Sequence, residues 1–239
     1  HLSVVGWHGG NKLIVRFMHP QTFGFPAFYP ADEVDLVDPH SLRPLISAKV
    51  TTAEMTSPYE MSLELDRPIP THIREAEAIA LENVTWTPEV KITGCRFTLT
   101  PTRAILVSTR RHVEISDNEF IRIPMSSILI ADDARSWYES GPVDGVDITG
   151  NRFIECSSPV ISIHPEYDRY DGPVHRNISI VDNRFTGTYE KAVSARGVDG
   201  LDVFGNIFIL PAGERLDSDA LVTTEECINV NVSGNKLLD

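Results

Sequence analysis

A four-residue signature, Gly/Asp-Asn-x-Phe, returns six times along residues 94–237 and restricts the fold more than any other feature of the chain. It reads Gly94-Cys-Arg-Phe97, Asp117-Asn-Glu-Phe120, Gly150-Asn-Arg-Phe153, Asp182-Asn-Arg-Phe185, Gly205-Asn-Ile-Phe208 and Gly234-Asn-Lys-Leu237, with Cys95 and Leu237 as conservative departures. Successive signatures lie 23, 33, 32, 23 and 29 residues apart, counted at the last position. A minimum period of 23 residues suits one solenoid coil of three short strands and three turns, each longer coil carrying one insertion. Short strands bounded by Gly, Asp and Asn fit these segments better than helices. The fold class expected is therefore all-β, with a right-handed parallel β-helix over residues 71–239.

Stacked coils bring equivalent residues within about 4.8 Å of each other. Asn118, Asn151, Asn183, Asn206 and Asn235 would then hydrogen-bond amide to amide along the stack, a structural role. Phe97, Phe120, Phe153, Phe185 and Phe208 would form one interior row. Eight and ten residues after each Phe come apolar pairs, Ile105 and Val107, Ile128 and Ile130, Ile161 and Ile163, Val193 and Ala195, which period-two alternation points inward.

The next outward positions are Ser108, Ala131, His164 and Arg196, followed by Thr109-Arg110, Asp132-Asp133, Pro165-Glu166 and Gly197-Val198. On neighbouring coils these make one outer patch. Both long insertions follow it, Ala134–Val143 and Tyr167–Val174, carrying Trp137, Tyr138, Tyr167 and Tyr170 beside carboxylates. Aromatic rings next to charged groups suit a sugar, whose apolar face stacks while its hydroxyls meet donors and acceptors. The candidate substrate contacts are Asp132, Asp133, Trp137, Arg110, His164 and Glu166, with Asp132 and Asp133 the candidate acid–base pair in the chain. An inverting pair needs its carboxyl groups about 6.5–9.5 Å apart; Asp133 with Glu166, about 5 Å apart at the backbone, would suit retention. The structural readings are a turn cap or a partner for Arg110 or Arg135 for the aspartates, a satisfied surface imidazole for His164, and neutralisation of the acidic patch for Arg110 and Arg196.

Residues 1–70 lack this register. Strands are expected at Lys12–His19, Glu33–Asp38, Ile46–Val50 and Tyr59–Asp66, so this part is expected to form a small antiparallel β-barrel or sandwich ending at Pro68-Ile-Pro70. The net charge of −13 disfavours nucleic acid and anionic membranes, and no apolar run of about 18 residues exists for a membrane span. The three cysteines, Cys95, Cys156 and Cys227, are far apart and read as buried, inert thiols rather than a disulfide or zinc framework. Sequons at Asn83, Asn177 and Asn231 read as coincidence within Asn- and Thr-rich strands.

Several stretches together resemble the α-1,3-galactosidases of glycoside hydrolase family 110: Asn11-Lys-Leu-Ile-Val-Arg-Phe-Met-His19, Gln21-Thr-Phe-Gly-Phe25, Glu82-Asn-Val-Thr-Trp-Thr-Pro88, Thr100-Pro-Thr-Arg-Ala-Ile-Leu-Val107, Ser127-Ile-Leu-Ile-Ala-Asp-Asp133 and Ser136-Trp-Tyr-Glu-Ser-Gly141. The resemblance implies a β-helix carrying a small barrel, and inverting hydrolysis of a terminal α-galactose on a glycan without metal or organic cofactor. It also implies a secreted or periplasmic enzyme whose catalytic aspartates lie upstream of His1, with the missing β-helix segment or another chain covering the open end near residues 71–90. Two other classes share the architecture: a non-catalytic carbohydrate-binding β-solenoid, and a polysaccharide lyase or polygalacturonase. A lyase would want a dense Asp/Glu cage for Ca²⁺, which the patch lacks, and an adhesin would more often have uniform coils.

Overall fold

The computed structural model describes residues 1–139, 141–211 and 221–238, and the chain divides into two compact units. One comprises His1–Thr87 with Asp132–Ser140 and Glu166–Asp171; the other comprises Pro88–Ala131, Gly141–Pro165 and Gly172–Asp239.

The first unit is a closed antiparallel barrel of six strands, β1 (Leu2–His8), β2 (Lys12–Arg16), β3 (Glu33–Val37), β4 (Pro44–Ser57), β5 (Glu60–Leu65) and β6 (Ala80–Asn83), in the order β1-β2-β5-β4-β3-β6. Closure removes the free strand edges that a small open sheet would expose. Alternation along β2 buries Leu13 and Val15 completely, and they meet Leu36, Val50, Leu63 and Leu81 in the core. The boundary expected at residue 70 stops short of this barrel. β6 pairs with both β1 and β3 and closes the sheet, so the barrel needs residues up to Asn83. Four residues reading Ala-Leu-Glu-Asn carry too little periodicity for a strand to be recognised in isolation.

The second unit is a parallel β-helix with three sheets. The first stacks Val90–Thr93, Val113–Ser116, Asp144–Thr149, His175–Val181, Val198–Phe204 and Ile228–Ser233 in chain order; the second stacks Arg96–Thr98, Glu119–Ile121, Arg152–Ile154, Arg184–Thr186, Ile207–Ile209 and Lys236–Leu238. The third runs through Ile105–Val107, Ile128–Ile130, Ile161–Ile163, Val193–Arg196 and Val222–Glu225. The expected phenylalanine row is present: ring centroids from Phe97 to Phe208 are separated by 4.8, 4.8, 4.8 and 5.1 Å. The in-register pairs of the third sheet, such as Ile128 on Ile161 and Ile130 on Ile163, supply the rest of the core.

The signature has a local cause at each position. Its first residue is left-handed in all six coils, with φ of 63° at Gly94, 55° at Asp117, 68° at Gly150, 55° at Asp182, 68° at Gly205 and 65° at Gly234. Gly and Asp are among the residues that reach this region most readily. Gly follows each Asp for a steric reason: a Cβ at Gly150 would stand 2.6 Å from Asp117 Oδ1 of the preceding coil. The Asn at the second position is buried and its amide is fully used. Asn151, for example, gives its backbone N–H (2.9 Å) and Nδ2 (3.0 Å) to Asn183 Oδ1, and Nδ2 also donates to the Ile115 carbonyl at 2.8 Å. The same bonds recur from Asn118 to Asn235. A buried amide with every group paired stabilises the stack and fixes its register.

The cysteines depart from the expectation of three buried thiols. Only Cys156 is buried; Cys95, standing in the Asn column of the first coil, is exposed, and Cys227 is half-buried. No helix among the described residues is long and apolar enough to cross a membrane.

Candidate functional site

The concentration of chemically active side chains lies in the barrel unit. The loop after β2 turns through a short 3-10 segment, Pro20–Thr22, and presents Phe23-Gly24-Phe25, where Gly24 takes φ of 84°. Phe25 is 69% exposed, an unusual placement for a large apolar ring. The same unit contains Trp137 at 69% exposure, stacked on His19 with ring centroids 5.5 Å apart and planes 18° apart. Tyr138 meets His19 edge-on at 6.5 Å. These rings, with Met18, Gln21 and Ala27, border an open cavity of about 340 Å³. Its walls are mainly apolar, with the Gln21 amide hydrogen-bonded to His19 Nδ1 as a polar group at the edge. That volume and lining fit one or two small rings rather than an extended chain.

Asp133 builds the loop that carries Trp137. Its Oδ1 accepts the backbone N–H groups of Arg135 (2.8 Å) and Ser136 (2.9 Å), and Oδ2 accepts that of Trp137. Burial pushes this carboxyl up, but the N–H groups of Arg135, Trp137, Ser136 and Tyr138 together outweigh it and hold the group below its ordinary value. The loop then places Tyr138 at φ of 60°, strained for a tyrosine, so the anchored turn supports a conformation that the residue alone disfavours.

Behind the loop is a group of buried acids around one imidazole. Glu82 of β6 and Asp132 are both fully buried. The His1 ring lies between them, Nε2 at 3.9 Å from Glu82 Oε2 and Nδ1 at 3.8 Å from Asp132 Oδ1, while Nδ1 donates to the Asp133 carbonyl at 3.1 Å. Buried carboxylates beside a base are expensive to maintain, which makes this group a candidate for function. A second fixed aromatic stands on the same unit: Trp86, 67% exposed, directs its indole N–H to buried Asp32 at 3.4 Å.

The second insertion has a different role. Asp168 accepts from His40 at 3.1 Å and pairs with Arg135, Arg169 pairs with Asp38 and Asp171, and Arg43 donates to the Asp171 carbonyl at 2.7 Å. Burial raises the Asp168 carboxyl, and the His40 hydrogen bond with the Arg135 and His40 charges together pull it below its ordinary value. This network ties the segment to the β3–β4 loop.

The six candidates named from the sequence are divided between the two units. Asp132, Asp133, Trp137 and Glu166 belong to the barrel unit, whereas Arg110 and His164 belong to the β-helix unit. Trp137 borders the cavity, Asp133 anchors its loop, and Asp132 is buried beside His1. Glu166 is exposed, and its backbone N–H donates to the Asp132 carbonyl at 2.9 Å. Arg110 donates to the Gly141 carbonyl at 2.6 Å, His164 is exposed, and Arg196 pairs with Glu226 at 3.0 Å. The cavity takes Trp137 and Tyr138 from the first insertion, and Arg135 of that insertion pairs with Asp168 of the second and donates to the Glu166 carbonyl at 3.0 Å. Tyr138 was named from the sequence with the insertion's aromatics, whereas His1, His19, Phe25 and Glu82 were not among the sequence candidates.

Residues 12–79 match the model of a domain family described as GLAA-B beta-barrel domain II, which extends past residue 70 as the barrel does. The chain is 42% identical over 99% of its length to an α-1,3-galactosidase A of Bacteroides thetaiotaomicron, covering 42% of that protein. It is 39% identical over 87% of its length to the α-1,3-galactosidase A of Akkermansia muciniphila, covering 35% of that protein, and 34% identical over 95% to an α-1,3-galactosidase B of Bacteroides thetaiotaomicron, covering 38%. The chain belongs to glycoside hydrolase family 110. This family member spans about two fifths of the length of the curated relatives it matches.

Proposed function

We propose that the protein containing this chain is an exo-acting, inverting α-1,3-galactosidase that removes terminal α-galactose from glycans, and that the cavity beside Trp137 holds a sugar of that substrate. The supporting observation is the 42% identity, across 99% of the chain, to an enzyme named α-1,3-galactosidase A. The cavity gives that reading a location. A pyranose ring has an apolar face for the stacked Trp137–His19 pair, and its hydroxyls have Gln21 at the edge. Exo action agrees with the limited volume, and a secreted or periplasmic location is part of the same proposal.

Asp133 is better suited to holding the loop than to proton transfer, because both its oxygens already accept backbone N–H groups. Asp132 with Glu82 and His1 forms the buried charge support behind it. The acid–base pair is assigned outside residues 1–239, as the family resemblance implies. The test follows the anomer released from an α-1,3-galactoside by proton NMR in the full-length protein. Initial release of β-galactose supports inversion; α-galactose overturns it. Asp132→Asn should lower kcat by less than the roughly 10²–10⁴-fold expected for loss of a general acid or base. A loss of that size, with KM unchanged, would move the acid or base onto Asp132.

A further inference from the structure

The outer face of the second β-helix sheet carries a column read from the third position of each signature: Arg96, Glu119, Arg152, Arg184, Ile207 and Lys236, in register from coil to coil. The upper part of the column alternates in sign. Glu119 is clamped between Arg96 at 3.0 Å and Arg152 at 3.4 Å. The alternation then breaks, because Arg184 stacks directly on Arg152, about 4.8 Å away by sheet geometry. Like charges directly opposite each other on a sheet are destabilising.

Elsewhere such contacts are compensated within the molecule. Glu114 adjoins Asp147 in the first sheet, but each has its own partner, Lys91 at 2.7 Å and His112 at 2.9 Å. Arg176 in that sheet lies between Asp144 and Asp199. The Arg184 guanidinium is exposed and has no hydrogen bond or ion pair to any described residue. Beside the arginines runs a second outward column, Ile121, Ile154, Thr186 and Ile209, half-buried and without charge. The face therefore joins a flat apolar strip to two adjacent cations, in a chain whose net charge is −13.

We infer that Arg152 and Arg184 form a binding site for the anionic substituent, a sulfate ester or a carboxylate, of an acidic glycan. The planar guanidinium fork matches either group in bidentate fashion, and two forks one coil apart surround it. The isoleucine–threonine strip takes the apolar face of the sugar bearing that group. The site consists of β-helix residues and shares none with the cavity assigned above, so it would hold an acidic chain without hydrolysing it.

Binding is measured by calorimetry on the full-length protein with four probes: a chondroitin sulfate tetrasaccharide, a hyaluronan tetrasaccharide, a neutral galactose-containing tetrasaccharide and inorganic sulfate. Saturable binding of the chondroitin sulfate, weakened by salt and absent for the neutral chain, is expected. Equal binding of hyaluronan assigns the carboxylate as the recognised group; competition by inorganic sulfate assigns the ester. Arg184→Gln should weaken binding about tenfold and Arg152→Gln/Arg184→Gln more than that, as expected for charge-assisted hydrogen bonds. Arg67→Gln, on the barrel, should leave it unchanged. Hydrolysis of a neutral α-1,3-galactoside should be unaffected by Arg184→Gln, which separates this site from the galactosidase reading. Wild-type affinity in the double variant, or equal affinity for the neutral tetrasaccharide, would overturn the inference.

Discussion

The barrel and the β-helix are both built from short strands, yet they bury polar groups in opposite ways. In the β-helix the buried amides of Asn118, Asn151, Asn183 and Asn206 repeat one role, each satisfied by the next. In the barrel unit the buried acids Asp32, Glu82, Asp132 and Asp133 have different partners: an indole and an amide, one nitrogen of an imidazole, the other nitrogen, and a run of backbone N–H groups. Repeated buried polarity serves the stack. Among the described residues the buried acids all belong to the barrel unit, none repeating another's role.

The largest effect that probes this contrast is Phe153→Ala, which removes a ring packed at 4.8 Å on both sides and should cost about 3–5 kcal/mol in urea unfolding. A cost below about 1 kcal/mol would mean that the column is not a close-packed core. Next is His175, fully buried in the β-helix, whose burial pushes it down to about 3 while Nδ1 accepts the Val143 N–H at 3.1 Å. A base depressed in the folded state loses stability as pH falls below its unfolded value near 6.5 and continues losing it to about 3, on the order of 4 kcal/mol over that window. His175→Gln should flatten that part of the stability profile, and an unchanged slope would show that the acid response lies elsewhere.

Asn183→Ala removes the acceptor of two Asn151 donors and leaves the Ile148 carbonyl without its amide, for roughly 2–3 kcal/mol. Asp133→Ala should cost roughly 1–3 kcal/mol, but locally, with faster hydrogen exchange at Arg135, Ser136 and Trp137 and slow exchange retained through the β-helix. Loss of protection in both units would erase the distinction between them. Smallest in stability is Trp137→Ala, within about 0.5 kcal/mol because the ring is exposed, although KM for a terminal α-galactoside should rise about tenfold. An unchanged KM would remove the cavity from the galactosidase reading.

Much of the β-helix was legible because its physics repeats. One left-handed residue, one ladder amide and one inward ring per coil leave the same imprint each time, so the coil length and interior row could be read without coordinates. Barrel strands such as Lys12–Arg16 and Glu33–Val37 were visible by alternation and turn residues, but β6 was not, since it closes the sheet through long-range pairing rather than local pattern. The site was legible only in part. Trp137 and Asp133 were found through the insertion, yet their partners His19 and His1 are more than 100 residues distant in the chain, and nothing local at either histidine records the contact. Arg110 and His164 entered the candidate list from coil register alone, which places backbone positions but not the side-chain partners they take.

The left-handed position of the signature also limits how this solenoid can lengthen by duplication. A coil that presents Asp, as Asp117 and Asp182 do, is followed by one that presents Gly, where a Cβ would meet the carboxylate beneath it unless that side chain turned away. A coil that presents Gly leaves its successor room for a Cβ, as Gly94 followed by Asp117 and Gly150 followed by Asp182 show. Tandem copying of a Gly coil is therefore sterically permitted, whereas tandem copying of an Asp coil places Asp on Asp and requires the earlier carboxylate to take another rotamer. The order of coils thus carries a directional preference: Gly after Asp needs no adjustment, and Asp after Asp needs the earlier carboxylate to move.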